Sequence, residues 1–413
     1  MIPIPLTEIE TLGRVQARPW ASVVTGVKID SRLVEEGDLF VAVGERGADF
    51  VAHALARGAD AVLEPHDAHA ALAAIAGAVR RRSTAKIVAI TGSTGKTTTK
   101  DILAALCAPR ARTVASEANF NNELGVPLTL CRIETDTEIC IAEMGMRGLR
   151  QIDWLARFTQ PDVALITNVG PVHLEFLESV ENVARAKAEV IEHLRPGGVA
   201  VVPDDRLLDP YLLRTDIEIR RFGRSTRDGQ FNVAGRTITL TTNFTAGHQF
   251  DNLLAALIVC DALGLHIEDG TLDVAFSPLR EEEQLVASGA LLLNDSYNAN
   301  PISMRAALEH AAGRVTEGRL IAVLGTMAEL GADSAAFHRE IGEQAANLGV
   351  TEIWGVGEAA RGYDTGRVPF RWFANAADVD TTALLALASG DVVLVKGSRS
   401  VGLETVAAKV RGE

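Results

Sequence analysis

Residues 89–99 carry the clearest chemistry in the chain. Gly92-Ser93-Thr94-Gly95-Lys96-Thr97-Thr98 follows the apolar, β-branched run Ile87–Ile90 and opens a helical pattern from Lys96 to Ala108. Glycines let backbone amides turn inward around phosphate oxygens, and a helix N-terminus adds its positive end. Lys96 would then reach the terminal phosphates of a nucleotide, and the Thr97 hydroxyl would hold Mg²⁺. The pattern is G-x-x-G-K-T. The full Walker pattern wants a further glycine at the position occupied by Ile90.

Lys187 is a second candidate, found by periodicity alone. A helix is expected from Ser179 to Leu194, with an apolar stripe at Val180, Val183, Ala184, Val190, Ile191 and Leu194. Lys187 falls inside that stripe at helical spacing. Such a lysine is either buried or snorkels along the helix surface. Burial would lower its pKa and expose a neutral amine. Other polar groups have weaker local signals. Glu143 ends the strand-like run Ile139–Ala142 and, taken alone, reads equally well as a surface carboxylate. His173, taken alone, reads as a loop histidine. Asn119, Asn121 and Asn122 read as turn residues, the default for clustered asparagine.

The elements that must position these groups alternate between strand and helix. From Lys86 onward, Ile87–Ile90, Ile139–Ala142, Val163–Thr167 and Val199–Val202 are short apolar runs separated by helical stretches. A second series follows at Leu291–Leu293, Leu320–Leu324, Ile353–Val356 and Val392–Val395. Continuous apolar strands between helices indicate parallel sheets covered on both faces. Before Lys86 lie the strand-like runs Val23–Ile29 and Leu39–Val43 and an Ala-rich helix from Ala68 to Arg82. That helix ends in a basic triplet, Arg80-Arg81-Arg82, which reads as a solvated helix C-terminus. Pro301 suits the first turn of a helix after Asn300.

Composition bounds the function. The 413 residues suggest about three domains. Lys plus Arg is 40 and Asp plus Glu is 54, giving a net charge of −14, which disfavours nucleic acid and anionic membranes as partners. No apolar run is long enough to span a bilayer. Met1 to Glu10 lacks the features of a secretory signal. Cys107, Cys131, Cys140 and Cys260 form no C-x-x-C pair, which suggests free thiols in a reducing cytoplasm.

The phosphate loop resembles that of the Mur ligases, which build the peptide stem of bacterial peptidoglycan. Further segments resemble the family in order along the chain: Asn119-Phe120-Asn121-Asn122-Glu123-Leu124-Gly125-Val126-Pro127, Glu143-Met144-Gly145, Thr167-Asn168-Val169-Gly170-Pro171-Val172-His173-Leu174-Glu175, and Gly247-His248 with Asp251-Asn252. In the last third, Asp295-Ser296-Tyr297-Asn298-Ala299-Asn300-Pro301 and Lys396-Gly397-Ser398-Arg399 continue the match. Leu324-Gly325-Thr326-Met327-Ala328-Glu329-Leu330-Gly331 and the Asn-Ala-Asn-Pro motif resemble the branch whose acceptor is D-alanyl-D-alanine. The D-N-P-R signature of the diaminopimelate- or lysine-adding branch is absent. Three features depart from the family pattern: Thr326 stands where aspartate is usual, Gln249 where asparagine is usual, and the stretch between Arg220 and Gly247 is short. Glu281-Glu282-Glu283 also puts an acidic run directly after Arg280.

The resemblance implies an α/β protein of three domains. Residues 1–83 would form a small α/β domain holding the UDP-sugar, 84–278 a central P-loop ATPase-like parallel-sheet domain, and 279–413 a C-terminal Rossmann-like substrate domain. It implies ATP-dependent joining of D-alanyl-D-alanine to UDP-N-acetylmuramoyl-tripeptide through an acyl phosphate. ATP and Mg²⁺ would be the cofactors. Gly92, Ser93, Thr94, Gly95, Lys96, Thr97, Thr98, His248, Asn252, Arg280 and Asp295 would bind the nucleotide. Thr97, Glu143, His173 and Lys187 would hold metal, Lys187 as a carbamate. Ser31, Arg32, Asn119, Asn121, Asn122, Asn300, Lys396 and Arg399 would face the other substrates. The expected protein is a cytoplasmic monomer whose C-terminal domain closes on the centre.

Overall fold

The computed structural model describes residues 1–413 and has the expected α/β, three-domain architecture. Its central sheet has six strands, in the order Glu218–Phe222, Val199–Pro203, Val163–Ile166, Lys86–Thr91, Ile139–Glu143 and Thr113–Ala115. All neighbours are parallel. The apolar strands at its middle are buried because helices cover both faces. Helices Lys96–Cys107 and Gly247–Ala262 pack together on one face. Helices Gln151–Thr159 and Val180–Glu192 cover the other. Register decides where the chemistry goes. Ile90 lies opposite Glu143, and Thr91 lies opposite Ile166. The loops leaving the carboxyl ends of three adjacent strands therefore emerge side by side, the usual ligand position in an open parallel sheet.

The N-terminal strands form a second sheet, in the order Gly13–Ala17, Ala61–Pro65, Asp38–Val41 and Gly26–Lys28. The run Val23–Ile29 is two strands. Val23–Val24 pairs with Ile4–Pro5, and Gly26–Lys28 pairs with Asp38–Val41. One face of this sheet packs a small cluster of its own, with Phe40, Ala54 and Val62, and the other face shares the core of the central domain. Leu39, Leu63, Leu72 and Ile75 belong to the same buried cluster as Ile87, Leu130 and Ile166 of the central domain. The helix Ala68–Arg82 is the bridge, packed against both Gly125–Leu130 and Gln151–Thr159.

Arg80 contradicts the solvated helix end expected from its basic triplet. It is buried, and its guanidinium donates to the carbonyls of Thr159 (3.1 Å), Ala85 (3.0 Å) and Gln160 (2.9 Å) and to the Asp162 carboxylate (2.8 Å). The carbonyls of Thr159 and Gln160 close the helix Gln151–Thr159, that of Ala85 precedes the strand Lys86–Thr91, and the rigid donor fork of arginine satisfies them together. Asp162 also accepts from the amide of Ile87, so this network ties the bridging helix to the central strand. Arg80→Met is expected to lower unfolding free energy by about 2–4 kcal/mol, because three carbonyls lose their donor, while Asp162 keeps Lys86 (3.6 Å) and Arg195 (3.7 Å). Urea unfolding measures this, and a change below 1 kcal/mol (about the value of an exposed ion pair) would contradict it.

The C-terminal sheet runs Glu282–Leu285, Leu291–Asp295, Val392–Lys396, Leu320–Gly325, Glu352–Val356 and Phe370–Phe373. Only the edge strand Glu282–Leu285 is antiparallel. The helix Pro301–Arg314 begins as expected, with Pro301 in the first turn and Asn300 at its N-cap. All four cysteines are buried free thiols. No helix is long and apolar enough to cross a membrane.

Candidate active site

A cleft of about 1300 Å³ lies between the central and C-terminal domains, at the carboxyl ends of the central strands. The phosphate loop forms its floor. Gly92 and Gly95 have φ of 151° and 74°, where L side chains are strained. A Cβ on Gly95 would sit 2.7 Å from the Asn252 side-chain oxygen, and one on Gly92 would collide with the Thr167 hydroxyl. The loop is pinned from one side. Ser93 Oγ accepts from Gly170 N and donates to Gly170 O, while Thr94 N donates to Asn168 Oδ1 at 2.9 Å. Lys96 is half-buried and its Nζ donates to Gly92 O at 2.8 Å. Burial lowers its pKa, with Glu143 acting in the opposite sense. Thr98 lies in the first turn of the same helix and also lines the cleft.

Glu143 is 1 % exposed at the end of its strand. Its Oε2 accepts from Thr97 Oγ1 at 2.9 Å, and its Oε1 accepts from Asn121 Nδ2 at 2.8 Å. Both partners are neutral, so a buried carboxylate beside a threonine hydroxyl has no ion-pair partner. That donor set fits a hard cation such as Mg²⁺, which takes oxygen ligands. Asn122 is engaged locally, its Oδ1 accepting from Gly125 N at 3.0 Å, while the exposed Asn119 lines the cleft.

Lys187 is buried at 2 % exposure, as one branch of the stripe argument expects, on the helix Val180–Glu192 capped by Ser179. Its Nζ has no acidic or carbonyl partner. Burial, reinforced by the nearby charge of Lys96, holds its pKa well below the ordinary lysine range. His173 lines the cleft, and its Nδ1 lies 2.5 Å from Glu329 Oε2. Burial lowers the His173 pKa, partly offset by that carboxylate.

The far wall comes from the helix Gly247–Ala262 and the C-terminal domain. His248 Nε2 is 2.8 Å from Glu281 Oε1. Burial alone would lower the His248 pKa, but Glu281 more than offsets it and the net shift is upward. Arg280 stacks over Tyr297, 3.9 Å from the ring centroid. Asp295 and Lys396 form a buried ion pair, and Lys396 also donates to Asn298 O at 2.9 Å. The acidic run after Arg280 thus points two ways. Glu281 pairs with His248, while Glu283 binds His310 (2.6 Å) and Arg314 (2.8 Å).

Several expected site residues are placed elsewhere or already engaged. Arg399 lies outside the cleft and pairs with Glu404 at 3.3 Å. Ser31 and Arg32 also lie outside it. The exposed Arg32 guanidinium is bound to Asp30, and Ser31 Oγ is 2.9 Å from His53 Nδ1. The Asn300 side chain lines the cleft but caps its helix, accepting from Ser303 N at 3.0 Å. The departures from the family pattern also have local accounts. Gln249 Oε1 accepts from Ala246 N at 3.1 Å and so closes the helix start. Thr326 is held through its backbone, between Val356 and Ser398. Sequence reasoning missed Asn168, Arg305, His310 and Arg314 as individual residues of the cleft wall, and Glu329 as the partner of His173 behind it. Asn168 was legible within its motif, whereas Arg305, His310 and Arg314 had only helical spacing on one face to signal them.

A phosphate cradle at the tip of a parallel sheet, facing a second α/β domain across a polar cleft, defines a nucleotide-dependent enzyme of the P-loop class. The chain belongs to the Mur ligase family. The Mur ligase middle domain matches residues 90–260, and the Mur ligase glutamate ligase domain matches residues 283–399. The UDP-N-acetylmuramoyl-tripeptide–D-alanyl-D-alanine ligase of Bacillus subtilis is 31% identical, with 93% of each chain covered. That of Escherichia coli is 31% identical, with 98% of each covered. Among solved structures, MurF from Acinetobacter baumannii superposes with a TM-score of 0.84 at 26% identity, covering 100% of this chain and 99% of that one. MurF ligase from Thermotoga maritima in complex with ADP gives 0.79 at 28% identity, covering 94% and 97%.

Proposed function

We propose that this chain is an ATP-dependent ligase that joins D-alanyl-D-alanine to UDP-N-acetylmuramoyl-tripeptide in peptidoglycan precursor synthesis. The observation that carries this reading is the tie between Thr97, Glu143 and Asn121 at the cradle. It places a buried, ion-unpaired carboxylate beside a phosphate loop in a chain alignable end to end with such ligases.

The tripeptide carboxylate attacks the γ-phosphate of ATP to give an acyl phosphate and ADP. The dipeptide amine then attacks the acyl carbon, forming the amide and releasing phosphate. Two anions must meet in the first step, so the site's task is charge screening and alignment. Lys96 exchanges its loop carbonyl, Gly92 O, for phosphate oxygens. The amides of the glycine cradle hold the phosphate chain, and Arg280, steadied on Tyr297, adds charge from the opposite wall. His248 with Asn252 lies at the start of the nucleotide-side helix, and Asp295 faces the same cleft. Mg²⁺ held by Thr97 and Glu143, with a second site at His173, would supply the remaining screening. The unpaired amine of Lys187, whose pKa burial lowers, can in its neutral form add CO₂, releasing a proton and leaving a carbamate. That modification would add an anionic oxygen ligand near His173, whose Nδ1 is already engaged by Glu329. Arg32 and Ser31 keep the proposed uridine-nucleotide role in the N-terminal domain, and Arg399 keeps its proposed role toward the peptide. Each of these three would need domain closure or release of its present partner.

The acceptor assignment is tested by product analysis with a panel of amines. D-alanyl-D-alanine should be joined far faster than D-alanine, L-amino acids or diaminopimelate when UDP-muramoyl-tripeptide is the donor. Efficient joining of diaminopimelate to a UDP-muramoyl dipeptide would place the chain in another branch of the family.

A further inference from the structure

The segment Thr326–Gly331 leaves the C-terminal sheet at the end of Leu320–Gly325 and crosses to the central domain. It is braced from behind. Thr326 N donates to Val356 O (3.1 Å), Met327 N to Nε2 of the buried His338 (3.0 Å), and Ala328 N to Ser398 Oγ (2.9 Å). Leu330 is buried in the C-terminal core. Held this way, the segment presents Glu329 to the central domain at three points. Its Oε2 is 2.5 Å from His173 Nδ1, its Oε1 is 3.4 Å from Arg147 Nε, and its carbonyl accepts from Glu175 N at 3.2 Å.

Both partners of the histidine contact have left-handed backbones, with φ of 54° at His173 and 61° at Glu329. Such a backbone is strained for a residue with a Cβ and persists only where the surroundings over-determine it. His173 lines the cleft and Glu329 does not, so the carboxylate acts on the imidazole from behind. A carboxylate against Nδ1 retains the proton on that nitrogen and leaves the Nε2 lone pair for a ligand.

We propose that Glu329 is the positioning residue of His173, setting its tautomer and ring orientation across the domain boundary. The metal side of the site is then complete only while the C-terminal domain is docked. This rests on the reading of His173 as a metal ligand.

The test is equilibrium Mn²⁺ binding to the full chain with a non-hydrolysable ATP analogue, together with the Mg²⁺ dependence of turnover. The variants are His173→Ala, Glu329→Ala, Glu329→Gln and the double alanine variant, each checked by thermal unfolding. Glu329→Ala should weaken Mn²⁺ binding about tenfold or more and raise the Mg²⁺ half-saturation equally, with KM for ATP unchanged. Glu329→Gln keeps an acceptor oxygen and should recover most of that loss. The double variant should bind no more weakly than His173→Ala alone, since both act through one imidazole. If Glu329→Ala does not fold, Glu329→Asp, whose carboxylate is too short to reach, should show the same loss. Normal Mn²⁺ binding in the folded variants, or penalties that add in full, would overturn the proposal and leave Glu329 as an interdomain contact only. Unchanged Mn²⁺ binding in His173→Ala would be a different failure. It would remove His173 from the metal site, and the positioning role with it.

Discussion

Lys187→Ala is expected to lower kcat by about 10²–10³-fold, the scale of losing a charged group aimed at a developing transition state. Its burial and its lack of any acceptor leave the amine no structural partner to maintain. The variant should therefore fold and still bind nucleotide. A small carboxylate such as acetate or formate, diffusing into the vacated space, should partly restore turnover because it replaces the anionic oxygens of a carbamate. Added bicarbonate should do nothing for the variant. Steady-state rates against acetate concentration measure this. Near-normal turnover without acetate would make Lys187 a buried helix residue and nothing more.

Glu143→Ala should separate turnover from affinity. Its carboxylate touches Thr97 and Asn121, while Lys96 and the cradle amides are separate groups that would hold phosphate without it. Turnover is expected to fall by about 10²-fold or more, because the group acts on charge that develops in the transition state. Nucleotide affinity, read by titration without the other substrates, should change only a few-fold. Equal losses in both would mean that Glu143 mainly shapes the phosphate loop.

The central domain was the most legible part of the sequence. Its strands are continuous apolar runs, and in the N-terminal domain the helix Ala68–Arg82 has the bounds its Ala-rich pattern gives. Lys187 was legible as an anomaly, since a charge inside an apolar stripe stands out. What it could not show was the choice between burial and snorkelling, which depends on helices packing from elsewhere in the chain. Arg80 shows the same limit from the other side. A basic triplet looks solvated until distant carbonyls at Thr159 and Gln160 are folded against it. Ser31, Arg32 and Arg399 were found by motif, but a motif does not report whether a side chain already has a partner. Glu329 lay inside a quoted motif, and its contact with His173 spans 156 residues, a separation that no local pattern encodes.

Phosphate release from ATP, followed with purified enzyme and UDP-N-acetylmuramoyl-tripeptide, tests the account most directly. With D-alanyl-D-alanine present, sustained release should match amide product one for one. Without the dipeptide, or without the tripeptide nucleotide, release should fall to background. ATP binding with no substrate-dependent phosphate release would contradict the account and leave a nucleotide-binding protein that performs no ligation.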